Sequence, residues 1–216
     1  MSGATSDQHL YFLYGKGRNG KSVFINVLTA LFGTYAKTVD PSTLMETKRS
    51  GGSASGDIAR LDGCRFLSSN EIQGNGFFNE ELLKRLTGGD QITARSIYKS
   101  DFQFTPQFKL FMCGNNLAVI KGRDEGIWRR IALIPFCAHI ETPDPYLESK
   151  LKGELSGILN WALEGWKMFQ SDGEKLTMPA VVINASTEYR VDMDILGRFF
   201  FEYLEQCLTW KGLSLE

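Results

Sequence analysis

The residues best suited to chemistry lie in one glycine-rich run, Gly15–Ser22, which fills every fixed position of the pattern GxxxxGK[ST]. An apolar aromatic run, His9–Tyr14, has the length of a strand and ends where the glycine run begins. Apolar residues at three- and four-residue spacing over 23–31 then predict a helix that ends at Gly33. Strand, glycine loop and helix in this order present backbone N–H groups and a helix N-terminus to phosphate groups.

This pattern predicts a site for ATP and Mg²⁺. Lys21 would reach the β- and γ-phosphates, and the hydroxyl of Ser22 would ligate the metal ion. A glycine turn without a ligand would leave the paired lysine and serine at the start of the helix unexplained. The expected nucleotide contacts are Gly15, Gly17, Asn19, Gly20, Lys21 and Ser22.

Two further strands end on candidate catalytic groups. The apolar run Arg65–Ser69 leads to Glu71, which could orient or deprotonate the attacking water. No aspartate directly precedes Glu71, so Mg²⁺ would rely on Ser22, the phosphates and water. The run Phe108–Cys113 leads to Asn115, whose amide could polarise the water or contact the γ-phosphate, because ligands bind at this edge of an open α/β sheet. A solvated carboxylate and a turn asparagine are the simpler alternatives.

Arg129 and Arg130 directly precede a fourth apolar strand, Ile131–Phe136. Guanidinium groups beside an apolar segment need an anion. One candidate is the γ-phosphate held by a neighbouring subunit, where an arginine finger accelerates other nucleotide hydrolases by about 10³- to 10⁵-fold. The alternative is a salt bridge with Asp124, Glu125 or the acidic end of the chain.

Composition excludes several classes of protein. The chain has 216 residues, 43% hydrophobic and 23% charged, which is typical of a folded globular domain and not of a disordered or fibrous chain. No apolar run reaches the roughly 18 residues of a membrane helix, and no signal peptide is recognisable, so we expect a cytoplasmic protein without a membrane partner. Four widely spaced cysteines and two histidines indicate neither a disulfide framework nor a zinc site.

The net charge of −1 conceals an uneven distribution along the chain. Residues 84–140 carry nine basic and four acidic side chains, whereas residues 141–216 carry seven basic and thirteen acidic ones. A basic surface that could face nucleic acid is therefore expected in the middle third.

The alternation of strands with helices predicts an α/β fold with a mostly parallel sheet flanked by helices. Between the second and third strands, a helix is expected at about 79–86, followed by a hairpin with arms at 91–98 and 102–104.

The last part of the chain is predicted to be helical. Amphipathic patterns run from Leu151 to Phe169 and from Ile195 to Cys207. We therefore expect an ATPase core over residues 1–140 and a helical C-terminal subdomain over 141–216.

These motifs and their order resemble the superfamily 3 helicases, in particular the helicase domain of phage and plasmid primase-helicases and their viral relatives. Besides the glycine loop, the resemblance is carried by Leu83–Arg95, Gly114–Asn116 and Asp124–Ile131. It implies a P-loop ATPase of the AAA+ type, assembled as a homo-hexamer with ATP bound between subunits. It also implies translocation on single-stranded DNA through a central pore during phage, plasmid or viral replication.

The resemblance implies roles for individual residues. Asn70 departs from the family, since many relatives carry an acid there, and Ala118 stands where a proline often follows the sensor asparagine. The implied assignments are Lys21 and Ser22 in the Walker A motif, Glu71 as the Walker B glutamate, Asn115 as the sensor and Arg129 or Arg130 as the finger.

The family's pore hairpin lies between the Walker B and sensor strands, which places its tip at Tyr98 and Lys99. A lysine beside an aromatic ring can bind a backbone phosphate while the ring packs on a sugar or base, without sequence readout. An ordinary solvated hairpin lysine is the simpler alternative.

Two other functions stay open at this point. A P-loop phosphotransferase, that is a kinase, would share the glycine loop but would not need arginines that act across subunits. An ATP-dependent DNA packaging or assembly module would use the same motor without unwinding. A primase domain upstream in the full-length protein is also compatible with the resemblance.

Overall fold

A parallel sheet organises the computed structural model, which describes residues 3–46, 56–69, 76–95, 100–122 and 124–194, together with Tyr203. Within these ranges the strands are β1 (Leu10–Tyr14), β2 (Ala36–Val39), β3 (Phe66–Ser69), β4 (Ile92–Arg95), β5 (Asp101–Phe104), β6 (Lys109–Gly114) and β7 (Ile131–Pro135). The helices are α1 (Lys21–Phe32), α2 (Pro41–Leu44), α3 (Gly56–Ala59), α4 (Glu80–Gly88), α5 (Glu125–Trp128), α6 (Leu147–Gly153), α7 (Leu155–Ser171) and α8 (Ala180–Met193), with one 3₁₀ turn at Gly33–Tyr35.

Five strands pair in the spatial order β2, β3, β6, β1, β7, and every pair is parallel. The prediction of an α/β fold with a mostly parallel sheet is confirmed. Tyr14, the last residue of β1, is in register with Gly114 of β6 and with Pro135 of β7. The carboxyl ends of these three strands therefore meet at one level.

Helices cover both faces of the sheet, as a parallel sheet requires. Because successive side chains of a strand point to opposite faces, β1 contributes to two separate clusters. In the smaller cluster, Ile25 and Leu28 of α1 pack on Leu13 and Phe66 of the sheet, with Phe111 at the border. The larger cluster on the opposite face includes Phe12, Leu110, Met112, Phe78, Leu83 and Leu86.

The strand β2 is not predicted by the sequence pattern. Only Val39 of its four residues is buried, and Thr38 is exposed, so the segment has no apolar run to recognise. It pairs in parallel with β3, a strand whose four residues are all buried, and this pairing depends on the position of the segment in the sheet and not on its local sequence.

The hairpin expected between the second and third core strands is present as β4 and β5, which pair antiparallel from Ile92 with Phe104 to Arg95 with Asp101. Helix α4 likewise matches the expected helix, and Asn79 caps it by accepting a 3.0 Å hydrogen bond from the backbone N–H of Leu82. The hairpin tip, with Tyr98 and Lys99, lies outside the described residues.

The C-terminal helices pack on the sheet domain in two places. Helices α6 and α7 lie against α1, and α8 lies along β7. Ser186 of α8 accepts a 2.9 Å hydrogen bond from the backbone N–H of Leu133, at the outer edge of the sheet. The predicted division at residue 140 stays a prediction, and the helix expected over 195–207 lies outside the described residues except for Tyr203.

Helix α8 is not predicted by the sequence pattern, because its apolar residues do not form one stripe. Val182 and Tyr189 are buried, whereas Val181, Ile183 and Val191 face solvent. The described part of the chain contains no helix that combines the length and apolarity needed to cross a bilayer.

A partly buried ionic cluster fixes the segment that leads into β1. Asp7 accepts a 2.5 Å hydrogen bond from the hydroxyl of Tyr11 and forms an ion pair with Lys109 at the start of β6. Burial opposes ionisation of the Asp7 carboxyl, but its interactions with His9, Lys109 and Tyr11 outweigh that effect and hold its pKa well below the usual range. The same burial, together with the Asp7 charge, raises the pKa of Tyr11.

We expect Asp7→Asn to lower the free energy of unfolding at pH 7 by about 1.5–3 kcal/mol, since hydrogen bonds to a charged group are removed. A lowered pKa in the folded state stabilises the protein above the unfolded value of about 3.9, and this contribution disappears as pH falls further. The difference in the free energy of unfolding between wild type and Asp7→Asn should therefore become smaller below about pH 4. Urea denaturation at neutral and acidic pH measures this difference, with Asp62→Asn, at an exposed position, as the control. A difference independent of pH would contradict an ionic role for Asp7.

Candidate active site

The glycine loop follows β1 and turns back into α1 through backbone conformations that suit glycine. Gly17 and Gly20 have φ angles of 47° and 86°, in the left-handed region. At Gly15 the requirement is spatial, because a Cβ atom there would lie 2.3 Å from the carbonyl oxygen of Phe136 and 2.5 Å from Nδ2 of Asn19. The absence of a side chain at Gly15 lets the loop rest against the residue that follows β7.

Lys21 is the first residue of α1, and its side chain is buried inside the loop, with 6% exposure. Its Nζ donates hydrogen bonds to the carbonyl oxygen of Gly15 at 2.6 Å, to Oδ1 of Asn19 at 3.0 Å and to Oδ1 of Asn115 at 3.1 Å. The ammonium group of Lys21 places a positive charge inside the loop, beside the N-terminus of α1.

Asn115 joins the end of β6 to the glycine loop. Its Oδ1 accepts the bond from Lys21 and a second, 3.2 Å bond from the backbone N–H of Gly17. The structure thus brings together the residues predicted from two separate motifs. They meet because Tyr14 and Gly114 are paired in register, so the residues that follow β1 and β6 leave the sheet side by side.

The loop is also tied to the chain beyond β7. Asn19 donates a 3.0 Å hydrogen bond from Nδ2 to the carbonyl oxygen of Phe136, and the backbone N–H of Ile140 donates a 2.9 Å bond to the carbonyl oxygen of Arg18. Asn19 therefore holds Lys21 with one end of its amide and the end of β7 with the other.

A cleft of about 470 Å³ opens over the loop, which is a size suited to a small-molecule ligand. One wall is α1, including Ser22 and Asn26, and the floor includes Asn115. The far wall is formed by Ile140, Pro143, Asp144 and Leu147. The sequence pattern does not predict this wall, because the proline-containing segment before α6 contains no recognisable motif. Its position is set by the hydrogen bond from the backbone N–H of Ile140 to the carbonyl oxygen of Arg18.

The arginines lie at the other edge of the sheet. Arg129 and Arg130 precede β7, whereas the glycine loop meets Phe136, which follows it. The six residue steps from Arg130 to Phe136 correspond to about 20 Å along an extended strand. Within one chain, neither arginine is placed beside Lys21.

The two arginines differ in their surroundings. Arg130 is 9% exposed, donates from Nη1 to the carbonyl oxygen of Gly126, and has its pKa lowered by burial and by the neighbouring Arg129. Arg129 is exposed, and its Nη2 donates a 2.6 Å hydrogen bond to Oε1 of Gln8. Among the carboxylates considered as alternatives, Asp124 pairs with Lys84 and Glu125 with Arg190. The charges of Asp90 and Asp124 nevertheless favour the charged form of Arg130 and oppose the lowering of its pKa.

The described residues contain no cluster of three or more histidine, cysteine or carboxylate side chains that could hold a metal ion. The donor set nonetheless suits Mg²⁺, which keeps several waters and is commonly held by one or two protein oxygens together with substrate phosphates. Ser22 lines the cleft and could supply one such oxygen. Glu71, like Tyr98 and Lys99, lies outside the described residues.

Fold and site together define an α/β protein whose parallel sheet carries a glycine loop, a buried lysine and an asparagine at its carboxyl edge. The chain belongs to DUF5906, a family of unknown function, whose model matches residues 13–130.

Several relatives come from large DNA viruses. The chain is 33% identical to the protein named "Putative helicase L207/L206" of Acanthamoeba polyphaga mimivirus, over 100% of this chain and 24% of that protein. It is 30% identical to "Putative helicase 022R" of Frog virus 3, over 94% of this chain and 23% of that protein. It is 22% identical to "Putative primase C962R" of African swine fever virus, over 87% of this chain and 21% of that protein. The chain thus spans about a quarter of the length of these relatives.

Among solved structures, the fold is similar to that of the NrS-1 C-terminal region, with a TM-score of 0.54 and 12% identity over 70% of this chain and 34% of that one. At that level of identity the similarity concerns the fold alone.

We expect Gly15→Ala to cost more stability than Gly173→Ala. Gly173 also has a positive φ, of 69°, but a Cβ there would have no atom within 4 Å, so alanine should cost only about 1–2 kcal/mol for its left-handed backbone. At Gly15 the added carbon meets backbone, which cannot rotate away, and about 1–3 kcal/mol of further destabilisation is expected. Urea denaturation of both variants checks this, and equal destabilisation would show that the loop has room to move.

Proposed function

We propose that this chain is the motor domain of an ATP-driven DNA helicase of the superfamily 3 type, which hydrolyses ATP between the subunits of a homo-hexameric ring and moves along single-stranded DNA during replication. The observation that carries the proposal is the glycine loop itself, with Lys21 buried in it and bonded to Asn115 at the floor of an open cleft. Relatives named as helicases and primases support the choice of helicase over other nucleotide hydrolases.

Each described residue of the cleft has a defined task in this proposal. The backbone N–H groups from Gly15 to Gly20 surround the β-phosphate, and Lys21 exchanges its bonds to Asn19 and Asn115 for phosphate oxygens. Asn115, released from Lys21, is then placed to hold the attacking water or a γ-phosphate oxygen. Ser22 supplies an oxygen for Mg²⁺, whose chemistry when bound is to neutralise phosphate charge. Glu71 remains the proposed residue that activates the water.

The opposite wall of the cleft suits the nucleoside. Ile140, Pro143 and Leu147 offer apolar surface opposite α1, where a base and ribose extend from phosphates held by the loop. The carboxylate of Asp144, which also lines the cleft, accepts a 2.6 Å hydrogen bond from Lys150, and this bond lowers its pKa.

The position of the arginines favours catalysis between two subunits. Arg129 is exposed and lines a cleft of about 230 Å³ together with Arg190, at the amino end of β7. Arg130 is buried and bonded to the turn at Gly126. We therefore assign Arg129 as the finger that reaches a neighbour's γ-phosphate, and Arg130 as the residue that holds the turn from which Arg129 projects.

Binding of single-stranded DNA is assigned to the β4–β5 hairpin. Its arms are tied by an ion pair between Arg95 and Asp101 at 3.7 Å, next to the tip that carries Tyr98 and Lys99. The hairpin lies within the basic third of the chain, which supports a phosphate-binding role.

The proposal predicts ATP hydrolysis that single-stranded DNA stimulates. Lys21→Ala should reduce turnover by at least about 10²-fold, because a preorganised charge at the phosphates is removed. A coupled ATPase assay, run beside size-exclusion light scattering, measures turnover at a known oligomeric state. Phosphorylation of a small molecule without DNA stimulation would instead indicate a kinase.

DNA binding should be separable from ATP chemistry at the hairpin tip. Lys99→Ala should keep basal turnover and weaken the binding of single-stranded DNA. The slope of log affinity against log salt should become shallower by about 0.7 for each DNA phosphate that the variant no longer binds. A salt series of DNA affinity for wild type and variant measures this, and parallel curves of equal affinity would remove Lys99 from the DNA path.

Catalysis between subunits predicts recovery in mixtures. Arg129→Ala and Lys21→Ala should each be inactive alone, but a mixed oligomer contains interfaces with one intact loop and one intact finger. Turnover should therefore reappear on mixing. No recovery in oligomers verified to be mixed would place the role of Arg129 within its own chain. Arg130→Lys is the companion variant. Its main effect should be a lower free energy of unfolding, with only a small effect on the turnover that reappears on mixing.

A further inference from the structure

We propose that Gln8 is a positioning residue for Arg129, and this inference rests on the proposed function. The exposed guanidinium of Arg129 donates a 2.6 Å hydrogen bond to Oε1 of Gln8. An exposed arginine without such a bond would be distributed over many rotamers, and ordering it on each encounter costs conformational entropy. Gln8 removes part of that cost in advance by holding one side of the guanidinium.

The backbone of Gln8 is in a conformation that a glutamine rarely adopts. Its φ angle is 53°, in the left-handed region that is unfavourable for residues with a Cβ atom. The backbone N–H of Gln8 donates a 2.9 Å hydrogen bond to the carbonyl oxygen of Thr5, which closes a turn. Strain of this kind persists only where the surroundings impose it.

Two sets of interactions hold Gln8 in this backbone conformation, one before it in the chain and one after it. Before Gln8, the ionic cluster of Asp7 with Tyr11 and Lys109 fixes the chain to the sheet. After it, the backbone N–H of Leu10 donates a 2.6 Å hydrogen bond to the carbonyl oxygen of Arg130. The turn that contains Gln8 is therefore linked, through the backbone hydrogen bond of Leu10, to the residue that follows Arg129.

The chemistry of the Gln8 side chain suits a partner of a residue that must meet an anion. A carboxylate partner would neutralise Arg129 and compete with phosphate, as Glu125 does for Arg190 at 2.8 Å in the same cleft. The amide of Gln8 is neutral, so it orients the guanidinium and leaves its charge available.

The test separates positioning from stability. Gln8→Gly removes the side chain and relieves the strain, because glycine adopts a positive φ without penalty. We expect thermal stability equal to or above that of wild type, together with a roughly ten- to hundredfold lower kcat in the oligomer. Gln107→Ala is the matched control, since it removes a similar bond, between Gln107 and Arg65, and should leave kcat unchanged.

A double-mutant cycle shows whether Gln8 acts through Arg129. Because Arg129→Ala is expected to be inactive, the cycle uses Arg129→Lys, which keeps a positive charge but lacks the planar guanidinium. Adding Gln8→Gly to Arg129→Lys should cause no further decrease in kcat, because the group that Gln8 orients is already absent. Independent, multiplying decreases would overturn the proposal. Wild-type kcat in Gln8→Gly, beside an inactive Arg129→Ala, would overturn it and leave the proposed function intact. Full activity of Arg129→Ala would overturn both the positioning role of Gln8 and the proposed function, in which Arg129 is the finger.

Gln8→Glu tests the need for a neutral partner. This variant keeps the acceptor oxygen but pairs Arg129 with a charge, so kcat should fall at low salt and recover in part as salt screens the pair. A kcat equal to wild type at low salt would show that neutrality of the partner is unimportant and would overturn that part of the proposal.

Discussion

The close approach of the glycine loop to the end of β7 is the constraint on which the site depends. At Gly15 a single added carbon would collide with the carbonyl oxygen of Phe136, the same atom that Asn19 binds. Asn19 in turn binds Lys21, so the position of the ammonium group is set by the distance between two strand ends. The parallel register of β1 with β6 and β7 supplies that distance, and the apolar clusters on both faces of the sheet keep it fixed.

The arginines and the glycine loop lie beside different clefts because they lie at opposite ends of β7. In a parallel sheet, the amino ends of the strands form one edge and the carboxyl ends form the other. Phe136 follows the carboxyl end of β7, and Arg129 lies just before its amino end. A ring of subunits is the arrangement in which an amino edge of one sheet can meet the carboxyl edge of the next. The separation within one chain is what the proposal of sites shared between subunits requires.

The parts of the structure that the sequence predicts are those encoded locally. Strand, glycine loop and helix follow one another without interruption from Leu10 to Phe32, and the ends of β3 and β6 are marked by a change from apolar to polar residues. The parts that it misses depend on distant segments. β2 is held by β3, α8 by β7, the far wall of the cleft by the bond from Ile140 to Arg18, and the turn at Gln8 by Lys109 of a distant strand.

The pair Arg129 and Arg130 shows how neighbouring residues of one type acquire different roles. Asp124 caps α5 by accepting a 3.1 Å hydrogen bond from the backbone N–H of Ile127, and Arg130 binds the turn at Gly126, so the short helix before β7 is held at both ends. In the described part of the chain, Nε of the buried Arg130 has no hydrogen-bond partner, which makes its burial costly. The task that Arg130 performs is structural in this arrangement, because its bond to Gly126 joins the residue before β7 to α5, while Arg129, one residue earlier, is exposed.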